Sequence, residues 1–207
     1  LAASVGAGTL KVRTDAAKTL KDSDRIEAGD WGAVFRVDAV DLGTVTVLNH
    51  DGLWGSSVWP YDGTPATTDR FLEDNRRIPY AALPDGPRVL IIGAAGGNEI
   101  MASLTFGASH VDAVELNPVT VDLLRTTFAD YTGHIVDDPR VHYVQGDGRT
   151  FLARSKDRYD LIWFVAPDSY AASNAATSGA FVLSESYLYT RQMVGTAFDH
   201  LACVQVA

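Results

Sequence analysis

The sequence predicts an α/β fold: a doubly wound, mostly parallel sheet preceded by a small antiparallel β unit. From Arg88 onward, short β-branched runs alternate with segments of helical period, the pattern of a parallel sheet covered by helices. Between Trp31 and Trp59, shorter β-prone runs are separated by Asp, Gly and Asn turn residues. The first strand of the later part also leads into a turn of small residues, 93–98. In such sheets the ligand crevice lies at the carboxyl ends of the strands.

Residues 1–84 are expected to hold a lead-in and the small β unit. Its β-prone runs are Ala33–Val37 and Thr44–Leu48. We expect His50-Asp51 to form a turn, although a lid over a pocket is an alternative. The apolar spacing within Asp69–Tyr80 predicts one short helix, which a proline near its end would stop.

Residues 85–207 are expected to form a cofactor-binding domain. The predicted strands are Val89–Ile92, Val111–Glu115, Val141–Gln145, Asp160–Val165 and Cys203–Val206. The predicted helices are Glu99–Phe106, Pro118–Tyr131, Thr150–Ser155 and Ser186–Leu201. The last helix meets the last strand near Ala202 without Gly, Pro or Asn, whereas such connections usually take about 2 to 6 residues. We therefore expect a missing loop there and a domain that is incomplete at its C-terminal end.

The composition excludes several function classes. A formal charge of -9 gives a surface that repels phosphate backbones, so nucleic acid is not an expected partner. The single cysteine and five scattered histidines lack any metal-ligand spacing, and no metal site is predicted. The apolar runs fall far short of the roughly 20 residues that span a bilayer, so we expect no membrane contact within this stretch.

The strongest functional signal is RVLIIGAAGGNE, residues 88–99: an apolar strand, a turn of small residues and a helix start. Small residues let the backbone approach a ligand closely, and N–H groups at a helix start attract electronegative atoms. The candidate cofactor contacts in this turn are Gly93, Ala95, Gly96, Gly97, Asn98 and Glu99. A tight connection required by packing alone would give the same pattern, and Glu99 would also stabilise the helix start.

Glu115 ends the second predicted strand, 18 positions after Gly97. This spacing is close to the roughly 20 residues expected for an acid that accepts hydrogen bonds from ribose hydroxyls. We place Glu115 and the adjoining Leu116 in the same nucleoside site. Ala95 and Asn98 replace the second and third glycines of a dinucleotide fingerprint, which disfavours a nicotinamide or flavin enzyme. No phosphate-binding Gly-Lys-Ser/Thr loop is present, so nucleotide triphosphate hydrolysis is excluded.

The segment QGDGR, residues 145–149, gives a third signal. Asp147 follows a predicted strand and Gly148 permits a turn after it. A carboxylate at this strand end would accept a hydrogen bond from an adenine amino group. Because Asp-Gly is also a common plain turn, the two earlier signals are needed to favour the nucleoside interpretation.

Together these motifs resemble the spermidine synthase-like branch of class I S-adenosylmethionine-dependent transferases. The similarity runs roughly over residues 31–193 and includes IPYAALP, RVLIIGAAGGNE, VDAVELNP, DPRVHYVQGDGRTFL and YDLIWF. It implies a class I methyltransferase, Rossmann-like fold for residues 85–207. It also implies S-adenosylmethionine or decarboxylated S-adenosylmethionine as cofactor, with Gly93, Gly97, Glu115 and Asp147 around its nucleoside.

The resemblance further implies an amine-bearing acceptor such as a polyamine, bound near residues 166–190. Asp168 is the candidate base or orienting group. The candidate substrate contacts are Ser169, Tyr170 and Tyr187. The variants most like this chain are modules of larger bacterial proteins, which implies a cytoplasmic location, either alone or as the soluble module of a membrane-associated protein. A homodimer is compatible with the family.

Three departures from the family pattern keep the chemistry open. The first carboxylate of an expected Asp-x-x-Asp is replaced by Val165, and Gly96 replaces an acid in the glycine turn. A Tyr-His-Glu motif is not found in DRFLEDNRRIPY. The alternatives to a polyamine transferase are a small-molecule methyltransferase and a catalytically silent nucleoside-binding or assembly module.

Overall fold

The computed structural model describes residues 18–165 and 187–202, which form two four-stranded sheets. The first is antiparallel, in the order β1-β2-β3-β4. Its strands are β1 (Ile26–Trp31), β2 (Arg36–Asp41), β3 (Thr46–His50) and β4 (Leu53–Val58). The second is parallel, in the order β7-β6-β5-β8. Its strands are β5 (Arg88–Ile92), β6 (His110–Glu115), β7 (Val141–Gln145) and β8 (Leu161–Phe164).

Helices cover both faces of the parallel sheet. They are α2 (Asn98–Thr105), α3 (Pro118–Arg125), α4 (Gly148–Arg154) and α5 (Arg191–Asp199); the short helix α1 (Pro65–Thr68) precedes the sheet and has no buried residue. Along β5, Val89 and Ile91 pack into a cluster with α2 and α3, whereas Leu90 and Ile92 pack into a cluster with α4 and α5. Strand side chains alternate between faces, so this division confirms the doubly wound fold predicted from the sequence.

The described helices are short. Among them none combines the length and the apolar character needed to cross a bilayer.

Two local predictions in the first part of the chain were incomplete or wrong. The small sheet has four strands rather than two, because β1 and β4 flank the predicted runs. Asp69–Tyr80 is not one helix but a series of 3-10 turns, Asp69–Phe71, Asn75–Arg77 and Pro79–Ala82. The break lies at Asp74, whose backbone is extended and whose side chain accepts a hydrogen bond from the Arg76 N–H, an N-cap geometry that starts a new turn.

Two predicted helices end or begin at different residues. Helix α3 stops at Arg125 rather than continuing to Tyr131. It ends there because the next residue, β-branched Thr126, departs from helical backbone angles, and the Thr126 hydroxyl donates to the Asp122 carbonyl. Helix α5 begins at Arg191, because Thr190 caps it by accepting from the Met193 N–H.

The chain after α5 returns directly to the parallel sheet. Leu201 pairs in parallel with Tyr159, just ahead of β8, and the Ala202 N–H donates to the Tyr159 carbonyl. The next strand position is therefore on the β8 edge of the sheet. The predicted strand Cys203–Val206 lies outside the described residues, and the missing loop near Ala202 stays a prediction.

The two sheets meet where β4 approaches the glycine turn. The Asn98 side-chain amide donates to the Ser57 carbonyl at 2.8 Å, and the Gly96 N–H donates to the Ser56 hydroxyl at 3.2 Å. A Cβ atom at Gly96 would collide with the Ser57 carbonyl. This contact explains why residue 96 carries no side chain.

The β3–β4 hairpin confirms the turn expected at His50-Asp51. Asp51 and Gly52 both have positive φ, the geometry of a two-residue hairpin loop. The His50 ring stacks on Phe35 with centroids 4.3 Å apart, and its Nε2 is buried with no hydrogen-bond partner among the described residues. Burial lowers the pKa of His50 from 6.5 to about 4.

A pair of glycine-to-alanine changes tests the sheet-to-sheet contact. Gly96→Ala places a methyl group against the β4 backbone, so we expect it to destabilise the fold by about 1–3 kcal/mol. Gly195→Ala adds the same methyl group to α5, where nothing lies within 4 Å, and should stabilise by about 0.5–1 kcal/mol. Chemical denaturation measures both values. Equal effects of the two changes would contradict this packing.

His50 should give the fold a specific pH dependence. The unfolded chain binds a proton near pH 6.5 that the folded chain does not bind until about pH 4, so this stabilisation is complete above pH 6.5 and falls as the pH decreases toward 4. Between pH 7 and pH 5 the loss should be about 2 kcal/mol. Over the same change from pH 7 to pH 5, the free energy of unfolding of the His50→Gln variant should fall by about 2 kcal/mol less than that of the wild type. Parallel stability curves for the two proteins would show that His50 is not buried in its neutral form.

Candidate functional site

A cavity of about 510 Å³ lies at the carboxyl ends of the parallel strands. Its floor comes from the residues that follow β5, β6, β7 and β8, and its roof comes from the antiparallel sheet. Eight of the ten predicted cofactor residues line it: Gly93, Ala95, Asn98, Glu99, Glu115, Leu116, Asp147 and Gly148. The other two pack elsewhere, Gly96 against β4 and Gly97 toward Ile135.

The glycine turn has positive φ at three residues and is held at several points. Gly93 and Gly97 have φ of 87° and 83°, which L side chains rarely adopt. Ala95 also has a positive φ, 43°, in spite of its Cβ atom. The N–H groups of Gly93 and Ala94 both donate to the Val114 carbonyl, at 2.8 and 3.1 Å. The turn is therefore anchored to the end of β6, beside Glu115.

Glu115 is the central side chain of the site. It is only 7% exposed, and its Oε2 accepts from the Ala95 N–H at 2.9 Å while Oε1 accepts from the Asn117 N–H at 2.7 Å. These bonds fix the carboxylate on the cavity wall. Carboxylate oxygens accept more than one hydrogen bond each, so a carboxylate on the cavity wall suits the hydroxyl donors of a ligand.

Asp147 lies on the cavity wall and also caps a helix. Its Oδ1 accepts from the Thr150 N–H at 2.7 Å, at the start of α4. A Cβ atom on the following residue, Gly148, would collide with Ile92, so the chain passes close to the end of β5. The sequence offered a ligand contact or a plain turn at Asp147; the structure shows a helix cap there, and the position on the cavity wall is compatible with the ligand contact.

The start of α2 carries an ion pair that the sequence did not predict. Arg76 Nε lies 2.7 Å from Glu99 Oε1, and Arg76 Nη1 lies 2.9 Å from Asp74 Oδ2. The Glu99 side chain is 6% exposed and that of Arg76 is 33% exposed. Burial acts against the charged guanidinium, but Glu99 and Asp74 outweigh it and raise the pKa of Arg76. Arg76 and Glu99 both line the cavity, so this is a charged wall.

The sequence offered a roof for the cavity only as an alternative, a lid at His50-Asp51 in place of a plain turn. Its residues come from β3, β4 and the loop before β2: Phe35, His50, Trp54, Gly55, Ser56 and Ser57. The Phe35 carbonyl accepts from the Asn117 side-chain amide at 3.1 Å, which ties this roof to the Glu115 rim. Nothing in the spacing of the hairpin residues indicates which face of the small sheet will meet the glycine turn.

The predicted acceptor region is described only in part. Asp168, Ser169 and Tyr170 lie outside the described residues, and Tyr187 begins a 3-10 turn, Tyr187–Tyr189. Leu188 and Tyr189 from this turn line the cavity, as does Val165 at the carboxyl end of β8. The end of the cavity near β8 is therefore apolar in its described portion.

The cavity suits a nucleoside with an extended polar substituent. Its volume falls within the range of about 300–1,000 Å³ that is typical of small-molecule sites. The buried carboxylate of Glu115 lies beside the glycine turn at one part of the cavity wall, and the Arg76–Glu99 ion pair lies at another. Within the two described ranges, no group of three or more His, Cys, Asp and Glu side chains could hold a metal ion.

Several proteins of similar sequence are polyamine aminopropyltransferases. The polyamine aminopropyltransferase of Pectobacterium carotovorum subsp. carotovorum is 28% identical over 64% of this chain and 50% of its own length. That of Streptococcus pneumoniae serotype 4 is 25% identical over 90% of this chain and 59% of its own length. The chain thus spans about half the length of the curated relatives it matches.

A solved spermidine synthase has the same architecture. Its crystal structure, in complex with the transition-state analogue AdoDATO, superposes with a TM-score of 0.59 at 18% identity, over 86% of this chain and 53% of that one. This likeness supports the α/β fold described above. The model of the spermine/spermidine synthase domain matches residues 73–190, more than half of the chain. The chain therefore belongs to the spermine/spermidine synthase domain family.

Proposed function

We propose that this chain is a spermidine synthase-like transferase that binds S-adenosylmethionine or its decarboxylated form and acts on an amine-bearing acceptor such as a polyamine. The observation that carries the proposal is the fixed carboxylate of Glu115, which faces the cavity beside the glycine turn and Asp147. Family membership and the names of the relatives support it.

The residues of the chain divide the work of binding. Glu115 would accept hydrogen bonds from the two ribose hydroxyls, because its oxygens are held by amides and face the cavity. Asp147, at the end of the neighbouring strand, would accept from the adenine amino group. Gly93 and Ala95 would let the ligand lie against the backbone of the turn.

Such a cofactor would supply an alkyl carbon next to a positively charged sulfur; when an amine nitrogen attacks that carbon, the carbon–sulfur bond breaks and a neutral thioether remains. The chain would contribute mainly alignment and exclusion of water, which can account for much of the rate of a displacement. Asp168 is the proposed base or orienting group. Val165, on the cavity wall, has no carboxylate to share this role.

Aminopropyl transfer is the first candidate reaction, since the named relatives are polyamine aminopropyltransferases and a structural neighbour carries AdoDATO. Methyl transfer is the second candidate, because Val165 and Gly96 stand where the family pattern of aminopropyl transfer has carboxylates. Mass spectrometry after incubation with both cofactors and a panel of polyamines tests the proposal. An amine with an added aminopropyl or methyl group is expected. Binding without product would favour a catalytically silent module.

Loss of the Glu115 charge should weaken nucleoside binding. Glu115→Gln keeps the size of the side chain but removes the ionised acceptor, and hydrogen bonds to charged groups contribute about 1.5–3 kcal/mol. We expect the dissociation constants of both cofactors, measured by titration calorimetry, to rise about tenfold or more. The matched control is Glu73→Gln at an exposed position outside the cavity. Equal cofactor affinities of the wild type and the Glu115→Gln variant would show that Glu115 does not bind the nucleoside.

A change at Asp147 separates its two roles. Asp147→Ser keeps a good helix cap for α4, so the free energy of unfolding should change by less than about 0.5 kcal/mol. It removes the carboxylate that is proposed to bind the adenine amino group, so cofactor affinity should fall several-fold. Denaturation and calorimetry on the same sample measure both. Unchanged affinity would leave Asp147 as a cap alone.

A further inference from the structure

The order of the strands gives the cavity a direction. Across the sheet, Asp147 follows β7, Glu115 ends β6, the glycine turn follows β5 and Val165 follows β8. A nucleoside held by Asp147 and Glu115 would thus lie over β7 and β6. Its substituent beyond the ribose would extend over β5, past the glycine turn, toward the start of α2.

Glu99 is the acid that the cavity presents at the start of α2. Its side chain is only 6% exposed, and it lines the cavity. An acid that only stabilised the start of a helix would need no burial, because that interaction also operates at the protein surface. The burial of Glu99 on the cavity wall therefore indicates a second role.

One oxygen of Glu99 is held by the protein and the other is open to the cavity. Oε1 accepts from Arg76 Nε at 2.7 Å, whereas Oε2 forms no hydrogen bond with any other residue in the described parts of the chain. Within those parts, the enclosed side-chain atoms without a partner belong to His50, Arg70, Thr120 and Tyr143. Glu99 Oε2 is not one of these enclosed atoms, so a ligand in the cavity can reach it.

The charge of the described lining favours a cation. It contains one cation, Arg76, and three anions, which are Glu99, Glu115 and Asp147. Arg76 is not neutralised by Glu99 alone, because its Nη1 also lies 2.9 Å from Oδ2 of Asp74, an acid that is not part of the lining. An ammonium that approaches Glu99 thus meets a group whose net charge is negative.

Both candidate cofactors carry an ammonium on the arm that leaves the sulfur. We propose that Glu99 Oε2 binds this ammonium, while Arg76 holds the carboxylate in place through Oε1. An ammonium donates up to three hydrogen bonds, and bonds between two charged groups are among the strong ones. This inference rests on the proposed function and specifies how the arm of the cofactor is held.

The packing of the glycine turn explains why this acid comes from the helix. A side chain at Gly96 would collide with the Ser57 carbonyl of β4, so the turn cannot carry an acid at that position. Glu99, three positions later, lines the same cavity from the start of α2. Binding the arm at Glu99 leaves the end of the cavity at β8, with Val165, to the acceptor.

Two thioether analogues isolate the proposed contact. Methylthioadenosine and aminopropylthioadenosine share the nucleoside and an uncharged sulfur, and only the second carries an ammonium. In titration calorimetry the wild type should bind aminopropylthioadenosine about tenfold more tightly than methylthioadenosine. Glu99→Gln removes the charge at nearly the same size, so this preference should fall below about threefold while the affinity for methylthioadenosine stays within about twofold.

A control and a second variant accompany this change. Glu73→Gln alters an exposed glutamate outside the cavity and should keep the full preference. Glu99→Asp guards against misfolding of the Gln variant, because it keeps a charge for Arg76 but draws it back by one methylene group. It should therefore lose part of the preference.

The outcomes separate this inference from the proposed function. Equal affinities of the wild type for the two analogues, or a full preference retained by either Glu99 variant, would overturn the ammonium site while the nucleoside site stands. If the wild type binds neither analogue, the proposed function itself fails.

Discussion

The candidate site depends on the carboxylate of Glu115 and the two backbone amides that hold it. One oxygen fixes Ala95, which has a positive φ, and the other fixes Asn117, whose side chain is bonded to the Phe35 carbonyl. A single buried charge thus joins the glycine turn, the end of β6 and the antiparallel sheet. Without it, the strained turn would lose its anchor, and the roof and floor of the cavity would lose their common support.

The antiparallel sheet is part of the site rather than an appendage. Strand β4 lies so close to the turn that Gly96 cannot carry a side chain, and Asn98 at the start of α2 is bonded to the Ser57 carbonyl. The antiparallel sheet forms the roof of the cavity, and its His50 side chain lines that roof. Because of the same contact, position 96 of the turn cannot carry an acidic side chain. The charged groups near α2 are instead Glu99 and Arg76. The contact between the two sheets therefore also shapes the turn beside which a cofactor is proposed to bind.

The sequence predicted the parallel sheet well because its signals are local. Each strand is a short apolar run, and the residues after β5, β6 and β7 are where polar and small side chains collect, so Glu115 and Asp147 could be placed at one edge in advance. Arg76 could not, since it reaches the cavity from an irregular segment through long-range packing, and His50, on a hairpin, could be offered only as an alternative lid. The break at Asp74 depends on its own side-chain hydrogen bond, which competes with helical spacing.

The most direct measurement is a crystal structure of the chain grown with a sulfonium nucleoside such as S-adenosylmethionine. We expect electron density for the ribose within hydrogen-bonding distance of both Glu115 oxygens and for the adenine beside Asp147. Density for the ligand elsewhere on the chain, with the cavity intact and empty of nucleoside, would contradict the proposal that this buried carboxylate organises a cofactor site.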